Sequence, residues 1–124
     1  IGLLPQTSTN FKVRGKNSNQ QKKIFADAQA LSKSGVFSIV LECVIENLAK
    51  KITREVSVPT IGIGASKYCD GQILVIDDML GLGDCYPKFV KQYSNLNKII
   101  EKSVKMYSKD VKLRKFPSNK NIYK

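Results

Sequence analysis

The sequence predicts an α/β fold built on a parallel sheet, and three observations carry that expectation. Two short runs, Thr60–Ile63 and Ile73–Ile76, are continuously apolar rather than alternating, as strands buried on both faces of a parallel sheet are. A third run, Phe37–Leu41, has the same character. An amphipathic stretch of helical period lies between Phe37–Leu41 and Thr60–Ile63. Strand, helix and strand therefore succeed one another within about 27 residues, the size of a βαβ unit whose crossover is right-handed.

Each element has its own signal. Ile1–Leu4 is a short apolar run closed by Pro5 and followed by polar residues to Asn10, which reads as a strand end entering a loop. Phe11–Gly15 alternates apolar and basic residues. It fits a short extended piece, a loop lid or an ordinary solvated loop. Asn19 is the expected N-cap of a helix over Gln20–Ser34, with Gly35 just past its end. Ile24, Ala28 and Leu31 share one face of it. Phe37–Leu41 is expected as a buried strand, with Glu42 immediately after it. A second helix is expected over Ile45–Glu55, burying Ile45, Leu48, Ala49 and Ile52, and Pro59 separates it from the next apolar run.

The rest of the chain is organised around Val58–Leu82. Its first apolar run leads into Gly62, Ile63, Gly64, Ala65 and Ser66, small residues that let another backbone or a ligand approach closely. About nine residues separate its two runs, too few for a full crossover helix and enough for a loop with one helical turn. After Pro87 the pattern predicts a short helix over Lys88–Tyr93. A longer one comes after it, over Asn97–Asp110, with Ile100, Val104, Tyr107 and Val111 in a stripe. No repeat or linker suggests a second domain, so residues 1–124 are expected to form one.

Composition narrows the function classes. The chain has 124 residues, 42% of them hydrophobic and 25% charged, a globular rather than disordered balance. No stretch approaches the roughly 20 apolar residues of a membrane span. Position 1 is Ile, so the chain is expected to be part of a longer translation product. The three cysteines, Cys43, Cys69 and Cys85, cannot all pair and form no CxxC. They read as free thiols of a cytoplasmic protein. The lack of any His argues against a zinc site and removes a His-based triad.

The formal charge of +11 is uneven: from Lys88 onward 11 basic residues face 2 acidic ones, and before it 10 face 8. A basic tail invites a nucleic-acid reading. Against it, 18 of the 21 basic residues are Lys, whereas base readout favours Arg, and the tail has no Gly-aromatic RNA-binding motif. A solvated Lys-rich helix is the simpler account.

Few residues offer chemistry. Glu42 follows a buried strand directly, where α/β barrels place catalytic groups. A partly desolvated carboxylate there suits a general base; capping the next helix or pairing with a Lys is the alternative. Gly62 and Gly64 fit a turn that holds phosphate or plain close packing. Asp70 before Gly71 fits a turn better than a site. Asp77 and Asp78 fit either the start of a helix or a metal.

Several segments together resemble one family. They are Leu41–Val44 (LECV), Asn47–Thr53 (NLAKKIT) and Val58–Leu82 (VPTIGIGASKYCDGQILVIDDMLGL), joined by GLLPQ at Gly2–Gln6, FKVRGK at Phe11–Lys16, PKFVK at Pro87–Lys91 and FPS at Phe116–Ser118. In order and spacing they resemble ketopantoate hydroxymethyltransferase across nearly the whole chain. The resemblance implies the carboxyl-terminal half of a (β/α)8 barrel, from the end of the fifth strand through the eighth and the last helices. It also implies hydroxymethyl transfer from 5,10-methylenetetrahydrofolate to 3-methyl-2-oxobutanoate, giving 2-dehydropantoate for pantothenate biosynthesis. Magnesium and a large homo-oligomer belong to the same implication. Glu42 falls on the family's proposed general base.

A barrel takes about 250 residues, so half of one is absent. The magnesium-binding acids and the substrate-binding Ser and Lys of the family belong to that half, and so does a His just before Ile1–Gly2. Ser66 stands for the last Gly of the family's GIGAG, Asp77–Asp78 for its His–Asp, and Asn121–Lys124 for its His-containing end. The motifs do not locate a folate pocket residue by residue. An isolated half barrel exposes strand edges and is expected to self-associate or fold poorly. The alternative function is non-enzymatic: a truncated remnant, or a fragment that binds a partner through its Lys-rich tail.

Overall fold

A computed structural model describes residues 1–4 and 12–123. The first helix, α1 (Ser18–Lys33), starts earlier than the sequence suggests. Its cap is Asn17, not Asn19. The Asn17 side-chain oxygen accepts the Gln20 N–H at 2.9 Å, which satisfies one of the free amides of the first turn. The turn at Gly15 fixes this start. Gln20 Oε1 accepts the Gly15 N–H at 3.0 Å, and Gln21 Nε2 donates to the Gly15 carbonyl at 2.8 Å.

Next come β1 (Ile39–Glu42), α2 (Glu46–Glu55) and β2 (Thr60–Ile63). The bounds of β2 are those the sequence predicts, and α2 differs by one residue. The strand expected over Phe37–Leu41 is shifted: it begins at Ile39 and includes Glu42, and Phe37 is 91% exposed. Pairing starts where Ile39 meets Thr60, because Pro59 before Thr60 has no N–H to give to a ladder.

The strand expected over Ile73–Ile76 does not form. Instead β3 is Gly71–Gln72, paired parallel with Ile61 and Gly62. Ile73 adds one bond from its N–H to the Gly62 carbonyl at 3.0 Å, and the chain then leaves the sheet. Ile76 opens a short helix, α3 (Ile76–Leu80), whose first turn holds Asp77 and Asp78 and whose C-cap is Gly81 at φ +72°. Carboxylates at a helix start meet the positive end of its dipole, and a left-handed Gly ends it. Those two signals outweigh the strand propensity of the apolar run.

The sheet order is β1–β2–β3, all parallel and in chain order. Ahead of β1, Gly2 makes a parallel bridge with Glu42. The Glu42 N–H donates to the Ile1 carbonyl at 3.0 Å, and the Glu42 carbonyl accepts from the Leu3 N–H at 2.8 Å. The strand end expected at Ile1–Leu4 is therefore seated on the first edge of the sheet. The polar segment to Asn10 lies outside the described residues. From the Phe11–Gly15 stretch, Arg14 forms a second parallel bridge, with Val44.

Register decides which face is which. Ile39 and Leu41 of β1 lie on one face beside Thr60 and Gly62 of β2. Both β1 residues join a core with Ile24 and Ala28 of α1 and Leu48, Ala49 and Ile52 of α2. Leu41 and Ile52 have no exposed surface, and burying each contributes about 1.5–3 kcal/mol. Val40, Glu42, Ile61 and Ile63 alternate with these residues and face away from α1 and α2.

The chain divides into two compact units, Ile1–Leu74 and Val75–Lys124. The second holds α3 and α4 (Leu96–Lys112). The helix expected over Lys88–Tyr93 is only a turn, with the Val90 N–H on the Pro87 carbonyl at 3.0 Å. Six residues offset little of the cost of nucleating a helix, and the Tyr93 N–H goes to the Met79 carbonyl at 2.8 Å instead. Asn95 caps α4 by accepting the Lys98 N–H at 3.1 Å. The stripe of Ile100, Val104, Tyr107 and Val111 is present but exposed. The Lys residues of α4 lie exposed, as a solvated Lys-rich helix requires, and Lys105 pairs with Glu101.

Candidate active site

Glu42 is the last residue of β1 and half-buried. Its N–H and carbonyl are both held by the Ile1–Leu3 segment, and in register it faces Ile63 across β2. Gly2 lies against it. A Cβ on Gly2 would fall 2.3 Å from the Glu42 carbonyl oxygen and 2.6 Å from Val44 Cγ2, at a backbone φ of +98°. Only glycine lets this neighbour lie so close to the carboxylate's backbone.

Cys43 turns the chain out of the sheet at φ +50°. Its N–H donates to the Ile63 carbonyl at 3.0 Å and its carbonyl accepts the Arg14 N–H at 2.7 Å. Burial first, and the Glu42 carboxylate second, push the Cys43 thiol above its ordinary range. It is therefore a neutral thiol at neutral pH, not a nucleophile.

Gly64, one residue past Ile63, adopts φ +60°. The structure thus brings Glu42 and Gly64 to the same end of the sheet. Gly62 is on the helix-covered face, where an added Cβ would lie 3.1 Å from Cys69 Sγ and 3.0 Å from Gln72 Oε1. Those two side chains pack closely against it. Ser66 is buried beyond them. Its hydroxyl accepts the Tyr68 N–H at 3.1 Å, and its carbonyl accepts from Gln72 Nε2 at 2.8 Å. Lys50 of α2 lies 4.0 Å over the Tyr68 ring and tethers this loop to the helix.

Asp70 goes to the opposite end. One of its carboxylate oxygens accepts both the Thr60 N–H at 2.8 Å and the Thr60 hydroxyl at 3.1 Å. The Thr60 backbone N–H and then its hydroxyl hold the Asp70 carboxyl below its ordinary range. Thr60 Oγ1 also lies 2.8 Å from Thr53 Oγ1 on α2. This clasp of strand, loop and helix has no local sequence signal beyond the Asp-Gly pair, which reads as a turn. Asp77 and Asp78 belong to the second unit, in the first turn of α3.

No three of the described His, Cys, Asp and Glu residues form a group able to hold a metal ion. Among the described residues no helix is long and apolar enough to cross a membrane.

Residues 1–119 match the family described as ketopantoate hydroxymethyltransferase. The chain is 53% identical over 123 residues to a 3-methyl-2-oxobutanoate hydroxymethyltransferase of Pelagibacter ubique, covering 99% of this chain and 48% of the relative. It is 51% identical over 127 residues to the enzyme of that name from Bartonella henselae, covering 100% of this chain and 46% of the relative. A Clostridium botulinum relative of the same name is 52% identical over 128 residues, again 100% of this chain and 46% of the relative. The chain spans about half the length of the curated relatives it matches.

Proposed function

Because the chain belongs to the ketopantoate hydroxymethyltransferase family, we propose that it forms the carboxyl-terminal half of a (β/α)8 barrel with that activity. In this reading residues 1–124 are one partial barrel domain. The substrates are 3-methyl-2-oxobutanoate and 5,10-methylenetetrahydrofolate, and the product is 2-dehydropantoate. Four parallel segments in unbroken chain order, Ile1–Leu3, β1, β2 and β3, support a barrel. A doubly wound sheet instead reverses its strand order at a switch point. The order of the motifs supports the carboxyl-terminal half.

The observation that carries the chemistry is the place of Glu42. It ends a parallel strand, on the face turned away from α1 and α2. In a closed barrel that face is the interior, and its carboxyl end is the mouth where substrates bind. Glu42 there takes the proton from C3 of the keto acid, next to the carbonyl. The carbon left as an enolate is the nucleophile for the one-carbon unit. The family's magnesium has its ligands outside this chain, and the Glu42 step is derived without it. Location in the cytoplasm and a homo-oligomer of the complete enzyme belong to the same reading.

A chimera tests it. Residues 1–119 replace their counterparts in the full-length Pelagibacter relative, and 2-dehydropantoate is assayed from the two substrates. Product formation within about tenfold of the parent, a loss of about 1.4 kcal/mol in barrier terms, is expected. A folded chimera that makes no product refutes the reading.

A further inference from the structure

The strained residue next to Glu42 has a use. A residue in an extended strand directs its N–H and its carbonyl to the same edge. Cys43 does not. Its N–H goes to Ile63 of β2, while its carbonyl goes to Arg14. The left-handed conformation, φ +50°, is what splits them. A Cβ makes that conformation unfavourable for any residue but glycine, and such strain persists only where the surroundings over-determine it. Here they do: two peptide hydrogen bonds grip the residue and its side chain is 5% exposed. The amide of Ile45, two residues on, returns to the Arg14 carbonyl at 3.0 Å.

The geometry points to Cys43 as a positioning residue for Glu42, acting through its backbone rather than its thiol. The role rests on Glu42 being the general base. Glu42 is tied to Ile1 and Leu3 on one side, the Cys43 N–H adds the next rung of the ladder to Ile63 on the other, and the left-handed conformation of Cys43 turns its carbonyl away from β2 to Arg14. The strand must end at Glu42, so the carboxylate is the last group on the inward face. The Cβ of Cys43 narrows the conformations open to the joint. A glycine would adopt the same φ without strain, but it would also adopt others.

The test uses the full-length chimera, with exchange of the C3 proton of 3-methyl-2-oxobutanoate for solvent deuterium monitored by proton NMR. Cys43→Gly relieves the strain but gives up a buried side chain, so the melting temperature should stay near the parent's. It should lower the maximal exchange rate about tenfold with little change in KM, as a slightly misplaced base does. Cys43→Ala keeps the Cβ and should lose less than Cys43→Gly. In a Glu42→Gln background, Cys43→Gly should cause no further loss, because its effect passes through the carboxylate. Three outcomes overturn the proposal: exchange unchanged in Cys43→Gly, Cys43→Ala falling as far as Cys43→Gly, or a full additional loss in the double variant. If Glu42→Gln alone exchanges like wild type, the base reading fails too, and Cys43 has nothing to position. If Glu42→Gln is slow and Cys43→Gly is not, only the positioning role is lost.

Discussion

At the scale of single residues, the two ends of the sheet divide the work. Glu42 and Cys43 stand at the carboxyl end, and Thr60 and Asp70 clasp the other. The clasp makes a prediction that Glu42 does not share. Asp70→Ala leaves the fully buried Thr60 N–H without its acceptor. That should cost about 1–3 kcal/mol of stability in urea unfolding of the chimera. The Asp70 carboxyl is held below its ordinary range in the folded state. Its contribution is therefore complete above the unfolded value, near 4, and is lost as pH falls through the lower folded value. The gap between wild type and Asp70→Ala should be constant near neutrality and shrink in acid; a gap independent of pH down to about 2 would contradict the clasp. The place of Glu42 at a strand end was legible because it directly follows an apolar run. The Thr60–Asp70 pair was not, since ten positions and a loop separate partners that only folding brings together. Nor does any residue type announce a left-handed cysteine.

At the scale of elements, legibility followed the strength of local signals. The α2 stripe and the Thr60–Ile63 run are each bounded by a single clear breaker, and both were placed within a residue. Where two signals competed, the sequence misled. The sequence suggests Asn19 as the cap of α1, and the Gln20 and Gln21 contacts to Gly15 place it at Asn17 instead. Ile73–Ile76 has strand propensity, but Asp77–Asp78 and Gly81 draw its last residue into a helix. The cap choice can be measured in the chimera. Asn17→Ala should lower stability by about 1 kcal/mol, the usual cost of losing an N-cap oxygen. Asn19→Ala should change it by no more than about 0.5 kcal/mol. Equal losses at both positions would contradict the observed cap.

At the scale of the molecule, chain order and topology agree. Ile1–Leu3, β1, β2 and β3 lie side by side in sequence order, with helices against one face in the first unit. The family and its sheet class were legible because many short motifs agreed across the chain. The extent of the two units was not, because no linker composition marks a boundary at Leu74. In the proposed reading, this segment brings the general base to a barrel completed by other residues. Deuterium exchange at C3 of 3-methyl-2-oxobutanoate tests it most directly, because it isolates proton removal from the chemistry of the folate. In the chimera, Glu42→Gln is close to isosteric, so the fold and keto-acid binding should stay near those of the parent. Exchange should slow by about 100-fold or more, the scale of losing a positioned base. Exchange at the parent rate would overturn that reading and reduce Glu42 to the end of a strand.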